Sequence, residues 1–219
     1  MPLTEIDSHF MNLALSLGRK SLGNTWPNPS VGCIIALSNQ IVGRGRTGVG
    51  GRPHAETVAI EQAGKKTIGA TAYVSLEPCS HVGKTSPCAS AIISSGIKRV
   101  LTPIIDPDPR VSGNGIKALK EAGLEVHLVS EFEADAEQII RGFIYRLKKK
   151  RPYITLKIAT SLDGKLATGS GESKWISNSF SRSRVQLLRT QSDAILVGSG
   201  TILKDQPTLK ASGNLSSCC

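Results

Sequence analysis

One histidine and two cysteines, each directly preceded by a proline, lie close together in this sequence. They are His54, Cys79 and Cys88. One imidazole and two thiolates are the protein ligands of a catalytic zinc, which keeps its fourth coordination position open. A chain that binds one zinc through these three side chains must bring two separate segments to a single point. This requirement constrains the fold more than any other feature of the sequence.

Glu56 lies two residues after His54 and is placed to carry protons at such a site without being a metal ligand. A His-x-Glu motif followed by Pro-Cys-x-x-Cys is typical of zinc-dependent nucleobase deaminases. This chain has the first half of that pattern, but eight residues separate Cys79 from Cys88 instead of two. The spacing therefore predicts a related metal site with a longer loop between its cysteines.

The same residues admit two alternatives to a catalytic zinc. The cysteines could be core residues, with His54 at the surface. Against this alternative, all three residues are of metal-ligand type, each follows a proline, and each lies near the end of a predicted element. The zinc could instead be structural, since closed sites use four protein ligands and His81 could be the fourth. Against this, His81 lies only two residues from Cys79, and Glu56 would have no role.

The first 147 residues alternate between predicted helices and strands. Spacing of i, i+3, i+4 and i+7 marks an opening helix through Phe10, Leu13, Ala14 and Leu17. Further helices are predicted at 54–64, 87–96, 115–122 and 133–147, and strands at 31–37, 40–42, 70–76, 99–104 and 124–129. The first two strands are predicted to form a hairpin across Ser38-Asn39. This alternation favours a three-layer α/β sandwich with a largely parallel sheet.

The predicted elements also suggest where the metal lies. Residues i and i+2 of a regular helix point to different faces, so His54 and Glu56 share a site most easily in the first turn of a helix. Cys88 begins another helix, and the strand before Cys79 carries that residue to the carboxyl end of the sheet, where ligands of α/β folds bind. The positive ends of two helix dipoles would then face the thiolates.

A second region begins after the basic run Lys148–Arg151 and Pro152. Residues 1–140 hold 13 basic and 13 acidic residues, whereas residues 141–219 hold 14 basic and only 4 acidic residues, so the +10 net charge belongs to the C-terminal part. We predict a deaminase-type domain at 1–147, a linker at 148–152 and a second domain at 153–219. Strands at 153–159 and 194–197 and a helix at 180–190 are predicted in the second domain.

The composition excludes several other classes of function. The aromatic residues of the basic part are few and do not alternate with the basic run, as stacking platforms for nucleic acid would. No apolar segment approaches the length of a membrane span. We expect a cytoplasmic protein that binds a small molecule, with Cys33 as a buried structural thiol; the sequence leaves a homo-oligomer open.

Motifs along nearly the whole chain resemble the bifunctional deaminase/reductase family of riboflavin biosynthesis. The motifs of the first region are Pro27-Asn28-Pro29-x-Val31-Gly32, His54-Ala55-Glu56, Glu77-Pro78-Cys79-Ser80-His81-x-Gly83-Lys84-Thr85-x-Pro87-Cys88 and Asp106-Pro107-x-Pro109. Those of the second are Pro152-Tyr153-x-Thr155-Leu156-Lys157, Ser161-Leu162-Asp163-Gly164, Gly171-Glu172-Ser173-Lys174-Trp175-Ile176 and Leu188-Arg189-x-x-x-Asp193-Ala194-Ile195-Leu196-Val197-Gly198.

The resemblance implies a cytidine-deaminase-like α/β/α sandwich followed by an incomplete domain similar to dihydrofolate reductase. It implies hydrolytic deamination of 2,5-diamino-6-(5-phosphoribosylamino)pyrimidin-4(3H)-one, then NADPH-dependent reduction of the ribosyl group. By motif, the zinc ligands are His54, Cys79 and Cys88, and the proton carrier is Glu56. Positions that would contact substrate in the deaminase half are Asn28, His81, Lys84 and Asp106. In the reductase half, substrate positions are Ser173, Arg189 and Leu209, and NADPH positions are Ala159, Trp175, Thr201 and Asp205.

The chain departs from the family pattern in two places. Asp108 replaces an asparagine, so an amide donor becomes a carboxylate that only accepts. Near the C-terminus the family's Asp-Asp-Pro-x-Leu-Thr-Val-Arg reads Asp205-Gln206-Pro207-Thr208-Leu209-Lys210-Ala211-Ser212, without the arginine expected to hold the substrate phosphate. We therefore expect impaired reductase activity. The alternative is a tRNA adenosine or cytidine deaminase, which shares the His-x-Glu motif and the zinc.

Overall fold

The computed structural model describes residues 3–81 and 86–211 and divides the chain into two units, 1–153 and 154–219. The first unit is built on a five-stranded sheet of order β2-β1-β3-β4-β5. The strands are β1 (Gly32–Leu37), β2 (Gln40–Arg46), β3 (Thr71–Val74), β4 (Arg99–Thr102) and β5 (Glu125–Leu128). All five predicted strands of this region are present.

Five α-helices cover the two faces of the sheet. They are α1 (Glu5–Arg19), α2 (Ala55–Ala63), α3 (Cys88–Ser94), α4 (Asn114–Glu121) and α5 (Glu133–Lys149). Helices α1 and α5 contact each other, with α1 on β1 and β3, whereas α2, α3 and α4 form a contiguous row, with α2 packed on β1 and β2. The predicted three-layer α/β/α arrangement is thus confirmed.

The expectation of a largely parallel sheet is wrong in part. Strand β1 pairs antiparallel with both β2 and β3, while only the β3–β4 and β4–β5 pairs are parallel. The hairpin turn explains the first pair, because Ser38 and Asn39 both adopt positive φ, which a two-residue turn between antiparallel strands requires. Strand β2 also runs four residues beyond its predicted end, to Arg46.

Helix α1 is fixed at its start and along its length. Thr4 caps it with a reciprocal pair: the Thr4 hydroxyl accepts from the backbone N–H of Asp7, and the Asp7 carboxylate accepts from that of Thr4. Phe10, Met11, Ala14 and Leu15 are buried against the sheet. Apolar burial of this kind, continued by β1, β3 and β4, supplies the main stabilisation of the unit.

The second unit contains two helices, α6 (Ser179–Thr190) and α7 (Ser199–Asp205), in its described residues. The predicted helix at 180–190 is confirmed, whereas the strands predicted at 153–159 and 194–197 are wrong. Both segments lack the ladder of hydrogen bonds from a neighbouring strand that defines a β-strand. None of the described residues from 154 to 211 is buried, so this part has no apolar core of its own.

No helix in the described part of the chain combines the length and the apolar content needed to cross a membrane.

Candidate metal centre and pocket

His54 and Glu56 lie at the start of α2, as the sequence predicts. His54 is the N-cap residue, with extended backbone dihedral angles (φ −72°, ψ 154°), and Glu56 lies in the first helical turn with a buried side chain. The helix start can approach β2 closely because Gly45 has no side chain, since a Cβ there would lie 1.9 Å from the Ala55 carbonyl oxygen. Local backbone geometry therefore directs both side chains to one site.

The two cysteines reach the same point from different elements. Cys79 follows β3, while Cys88 is the first residue of α3, after the N-cap Pro87. The backbone N–H of Cys88, which has no acceptor within the helix, donates to the Cys79 sulfur at 3.3 Å. The first turn of α3 thus helps to position the Cys79 side chain.

The three predicted ligands form one cluster whose dimensions fit zinc. The Nδ1 atom of His54 lies 3.2 Å from the Cys88 Sγ and 3.7 Å from the Cys79 Sγ, and all ligand atoms lie within 4.8 Å of one another. Tetrahedral bonds of about 2.0 Å to nitrogen and 2.3 Å to sulfur would separate nitrogen and sulfur ligands by about 3.5 Å. The donor set and its spacing therefore match a zinc ion with three protein ligands.

Charge at this cluster is concentrated on Cys79 and Glu56. A hydrogen bond from Cys88 and the nearby His54 lower the pKa of Cys79 to about 4, whereas the same bond and burial raise the pKa of Cys88. The hydrogen bond to Cys79 also raises the pKa of His54. Burial, together with the negative charge of Cys79, raises the pKa of Glu56 to about 7. A carboxyl group of that pKa can both take up and release a proton near neutral pH.

A cavity of about 320 Å³ opens onto this cluster, and all of its lining residues belong to the first unit. His54, Glu56 and Cys79 line it, as do the predicted substrate positions Asn28, His81 and Asp106. The fourth substrate position of this domain, Lys84, lies outside the described residues. Size and lining suit a small polar molecule.

Comparison with known proteins shows which proteins this chain resembles. Residues 4–103 match the cytidine and deoxycytidylate deaminase zinc-binding region, and residues 152–215 match the RibD C-terminal domain. The riboflavin biosynthesis protein RibD of Aquifex aeolicus (strain VF5) is 49% identical over 207 residues, which are 94% of this chain and 58% of that protein. RibD of Escherichia coli (strain K12) is 48% identical over 206 residues, which are 93% of this chain and 55% of that protein. The chain is a homologue of the RibD proteins.

A solved relative supports the same assignment. The crystal structure of a diaminohydroxyphosphoribosylaminopyrimidine deaminase/5-amino-6-(5-phosphoribosylamino)uracil reductase from Thermotoga maritima has a TM-score of 0.86 and 43% identity, covering 92% of this chain and 58% of that chain. The cytidine-deaminase-like fold is thereby confirmed. The chain spans just over half the length of the curated RibD proteins named above, 58% and 55% respectively.

Predicted positions around the cavity have identifiable partners. The Asn28 amide donates to the Gly51 carbonyl at 2.9 Å, and Asp106 accepts from the backbone N–H of Asp108 at 2.8 Å. His81 is different, because its buried Nδ1 atom has no hydrogen-bond partner among the described residues. His81 is also absent from the metal-ligand cluster of the described residues, which disfavours a four-ligand structural zinc.

The carboxylate of Asp108, which replaces an asparagine of the family pattern, is paired with the side chain of Arg110. Both carboxylate oxygens of Asp108 accept from the Arg110 side chain, at 3.0 and 3.1 Å from Nε and 2.5 Å from Nη2. This hydrogen bonding lowers the pKa of Asp108 despite its burial. The cavity wall therefore carries a carboxylate–guanidinium pair where RibD-type sequences are expected to have an amide.

Four charged residues that line the cavity were not assigned a role from the sequence: Arg52, Glu77, Arg110 and Arg146. Arg146 of α5 lies 4.7 Å from the ring centroid of Trp26 and 5.3 Å from that of Phe143, and its Nη2 donates to the Pro27 carbonyl at 2.8 Å. Phe143 and Arg146 are three residues apart on one helix face, a spacing that could have indicated a shared surface. The fold, not local sequence, brings that face to Trp26.

The predicted reductase positions lie in several different segments of the second unit. Trp175 is 71% exposed, and the guanidinium of Arg182 lies over its ring. Thr201 and Asp205 lie in α7, whereas Ala159 and Ser173 lie outside the helices. Arg189 donates to the carbonyls of Thr208 and Lys210, and Leu209 lines an open depression beside them. Ser212, where the family's arginine is missing, lies outside the described residues.

Proposed function

We propose that this chain catalyses the zinc-dependent hydrolytic deamination of 2,5-diamino-6-(5-phosphoribosylamino)pyrimidin-4(3H)-one, a step of riboflavin biosynthesis. One observation carries the proposal: His54, Cys79 and Cys88 are gathered within 4.8 Å, and the buried carboxyl group of Glu56 lines the same cavity. Similarity to RibD proteins over more than nine tenths of the chain supports this substrate rather than the alternative tRNA base.

His54, Cys79 and Cys88 would hold the metal, leaving one position open toward the cavity. A zinc ion held this way lowers the pKa of a bound water toward neutrality and so supplies a nucleophile. In the reaction, the oxygen of water adds to the ring carbon that bears the 2-amino group, the carbon–nitrogen bond breaks, and ammonia leaves a carbonyl behind. The protein must therefore move protons from the water to the departing nitrogen.

Glu56 is the group placed to make this transfer. Its side chain is 4% exposed and lines the cavity beside the predicted metal ligands, so its carboxylate can take a proton from water and return it to the substrate. Burial beside the metal ligands keeps bulk solvent from competing for the proton. Cys33, buried behind this carboxylate on β1, has its pKa raised by burial and by Glu56 and stays an uncharged thiol.

The remaining cavity wall is suited to the rest of the substrate. Asp106 has its pKa raised to about 6 by burial and by neighbouring negative groups, and it accepts hydrogen bonds from donors such as ring or exocyclic N–H groups. Arg146 forms no ion pair with a described residue and is held in place by two aromatic rings, so its guanidinium can meet the phosphate. The Nδ1 atom of His81, which has no hydrogen-bond partner among the described residues, can form a hydrogen bond with the ribosyl group of the substrate.

We infer that the chain acts in the cytoplasm on this small molecule, and that nucleic acid and membranes are not its partners. The reductase step is not part of this proposal, because none of the described residues from 154 to 211 is buried.

A substrate comparison tests the proposed function. The zinc-loaded chain is offered the phosphoribosylamino-pyrimidine, its dephosphorylated form, cytidine and tRNA at equal concentration, and ammonia release is followed. We expect turnover of the phosphorylated pyrimidine to exceed that of the other three. Comparable turnover of cytidine or tRNA would assign the chain to another deaminase class.

A further inference from the structure

Glu77 carries a buried carboxylate that the proposed chemistry does not use. It lies three residues after the end of β3 and two residues before Cys79, and it is 2% exposed. Burying a carboxylate is costly unless hydrogen bonds replace its water shell. A residue of this kind therefore needs a specific set of donors.

Four backbone N–H groups supply them. Oε2 accepts from Asp106 at 3.0 Å and from Gly113 at 2.9 Å, while Oε1 accepts from Gly115 at 2.8 Å and from Ile116 at 3.1 Å. Gly115 and Ile116 lie in the first turn of α4, where backbone N–H groups have no acceptor within the helix. The carboxylate thus satisfies the start of α4 and the preceding loop together.

The packing between these segments is equally close. A Cβ on Gly115 would lie 1.9 Å from the Pro78 carbonyl oxygen and 3.1 Å from Oε1 of Glu77. Only glycine allows the start of α4 to lie against the residue that precedes Cys79. The two segments are therefore in direct backbone contact, with no room for a side chain between them.

Glu77 connects two walls of the same cavity. On one side, Pro78 leads directly to the metal ligand Cys79. On the other side, the N–H of Asp106 donates to Glu77, the Asp106 carboxylate accepts from Asp108, and Asp108 holds Arg110. An unbroken series of hydrogen bonds therefore runs from the ligand segment to the far wall.

We propose that Glu77 is a positioning residue, which sets the distance between the metal-ligand segment and the substrate-binding wall formed by residues 106–111. The assignment rests on the proposed deaminase function. Glu77 does not touch the reacting atoms; it acts through the backbone of Asp106 and of the loop that follows.

The variant Glu77→Gln tests this directly. Glutamine has nearly the same shape but only one acceptor oxygen, so its NH2 group would face two backbone N–H donors. We expect KM for the pyrimidine to rise about 10- to 100-fold, because the loss of one or two hydrogen bonds between the substrate and a displaced wall costs about that factor. Zinc content and kcat should change little, since Cys79 keeps its own hydrogen bond to the backbone of Cys88.

Asp7→Asn is the matched control, because Asp7 is also a 2% exposed carboxylate and lies outside the cavity lining. It should lower stability without changing KM. If Glu77→Gln behaves in the same way, with lower stability and unchanged KM, Glu77 is only structural and the proposal is wrong. Should Glu77→Gln be insoluble, Gly115→Ala pushes the same segments apart with the carboxylate intact and should raise KM similarly.

Hydrogen exchange separates failure of this proposal from failure of the proposed function. In Glu77→Gln we expect faster exchange of the backbone amides of residues 106–116 than in the unaltered chain, with exchange in β3 and β4 unchanged. If the unaltered chain deaminates no pyrimidine, the proposed function is wrong, and the exchange pattern still decides the role of Glu77. Unchanged exchange at 106–116 would overturn the positioning role whatever the activity.

Discussion

His54 and Glu56 reach one site although they are only two residues apart. Two helical residues at this spacing would diverge, but His54 has extended backbone angles as the N-cap and only Glu56 is helical. The sequence was sufficient for this prediction because the Pro-His-x-Glu segment lies directly before an apolar helix. It was insufficient for Arg146, whose neighbour Trp26 is distant in sequence.

The ligand assignment predicts a difference between two neighbouring side chains. His81→Ala should retain one zinc per chain, because His81 lies outside the ligand cluster, whereas Cys88→Ala should lose it. Metal analysis of the purified variants measures this. A zinc lost from His81→Ala but kept in His54→Ala would show that the assigned ligands are wrong.

We predict that Arg146 binds the phosphate group of the substrate. Arg146→Ala is expected to raise KM for the phosphorylated pyrimidine about tenfold or more, the usual cost of a lost charged hydrogen bond, and to leave turnover of the dephosphorylated form unchanged. Arg141→Ala is the matched control, since Arg141 also lies in α5 over an aromatic ring, Tyr153, but does not line the cavity. Equal effects of both substitutions would contradict a phosphate contact at Arg146.

At the scale of elements, Asp7 ties α1 to two strands of the sheet. Its carboxylate accepts from Tyr73 of β3 at 2.7 Å and from both terminal nitrogens of Arg99 of β4 at 2.7 and 3.1 Å. Burial alone would raise the pKa of this carboxyl group, but the hydrogen bonds from Arg99, Tyr73 and Thr4 hold it well below its usual range. The ionised form of Asp7 is therefore bound more strongly in the folded state.

This pKa shift predicts a pH-dependent contribution to stability. Because the pKa of Asp7 is depressed in the folded state, its contribution to stability is complete above the unfolded-state pKa of about 4. The contribution is lost as the pH falls through the folded-state pKa. Asp7→Asn should lower the free energy of unfolding by about 1.5–3 kcal/mol at pH 7. Urea titrations should show a smaller difference from the unaltered chain at pH 3, and an equal difference at both pH values would contradict this account.

The whole molecule shows where sequence reasoning succeeds and where it fails. In the first unit, alternating apolar segments become strands and helices because each can bury its apolar face against the sheet, as β3 and α1 do. The hairpin across Ser38-Asn39 was predicted, but the parallel character was overestimated because a pattern of apolar residues does not show that β1 also pairs antiparallel with β3. Apolar segments at 153–159 and 194–197 have strand-like sequences but no pairing partners in the described residues.

The two units should therefore differ in stability. Residues 3–153 contain all buried residues described, whereas none lies in 154–211. Limited proteolysis should remove residues beyond 153 first and leave a resistant fragment that keeps zinc and deaminase activity. Oxidation of NADPH with the deaminated product as substrate should be absent or severely impaired. Protease resistance of the second unit, or rapid NADPH oxidation, would contradict this view.

The central claim is that Glu56 carries the proton at a metal centre formed by His54, Cys79 and Cys88. Its most direct test is the rate of ammonia release from the phosphoribosylamino-pyrimidine by Glu56→Gln and by the unaltered chain at equal zinc content. An amide of the same shape cannot carry a proton, so we predict one zinc per chain in both proteins and a rate about 10²- to 10⁴-fold lower in the variant. A zinc-loaded Glu56→Gln chain with undiminished activity would contradict the account.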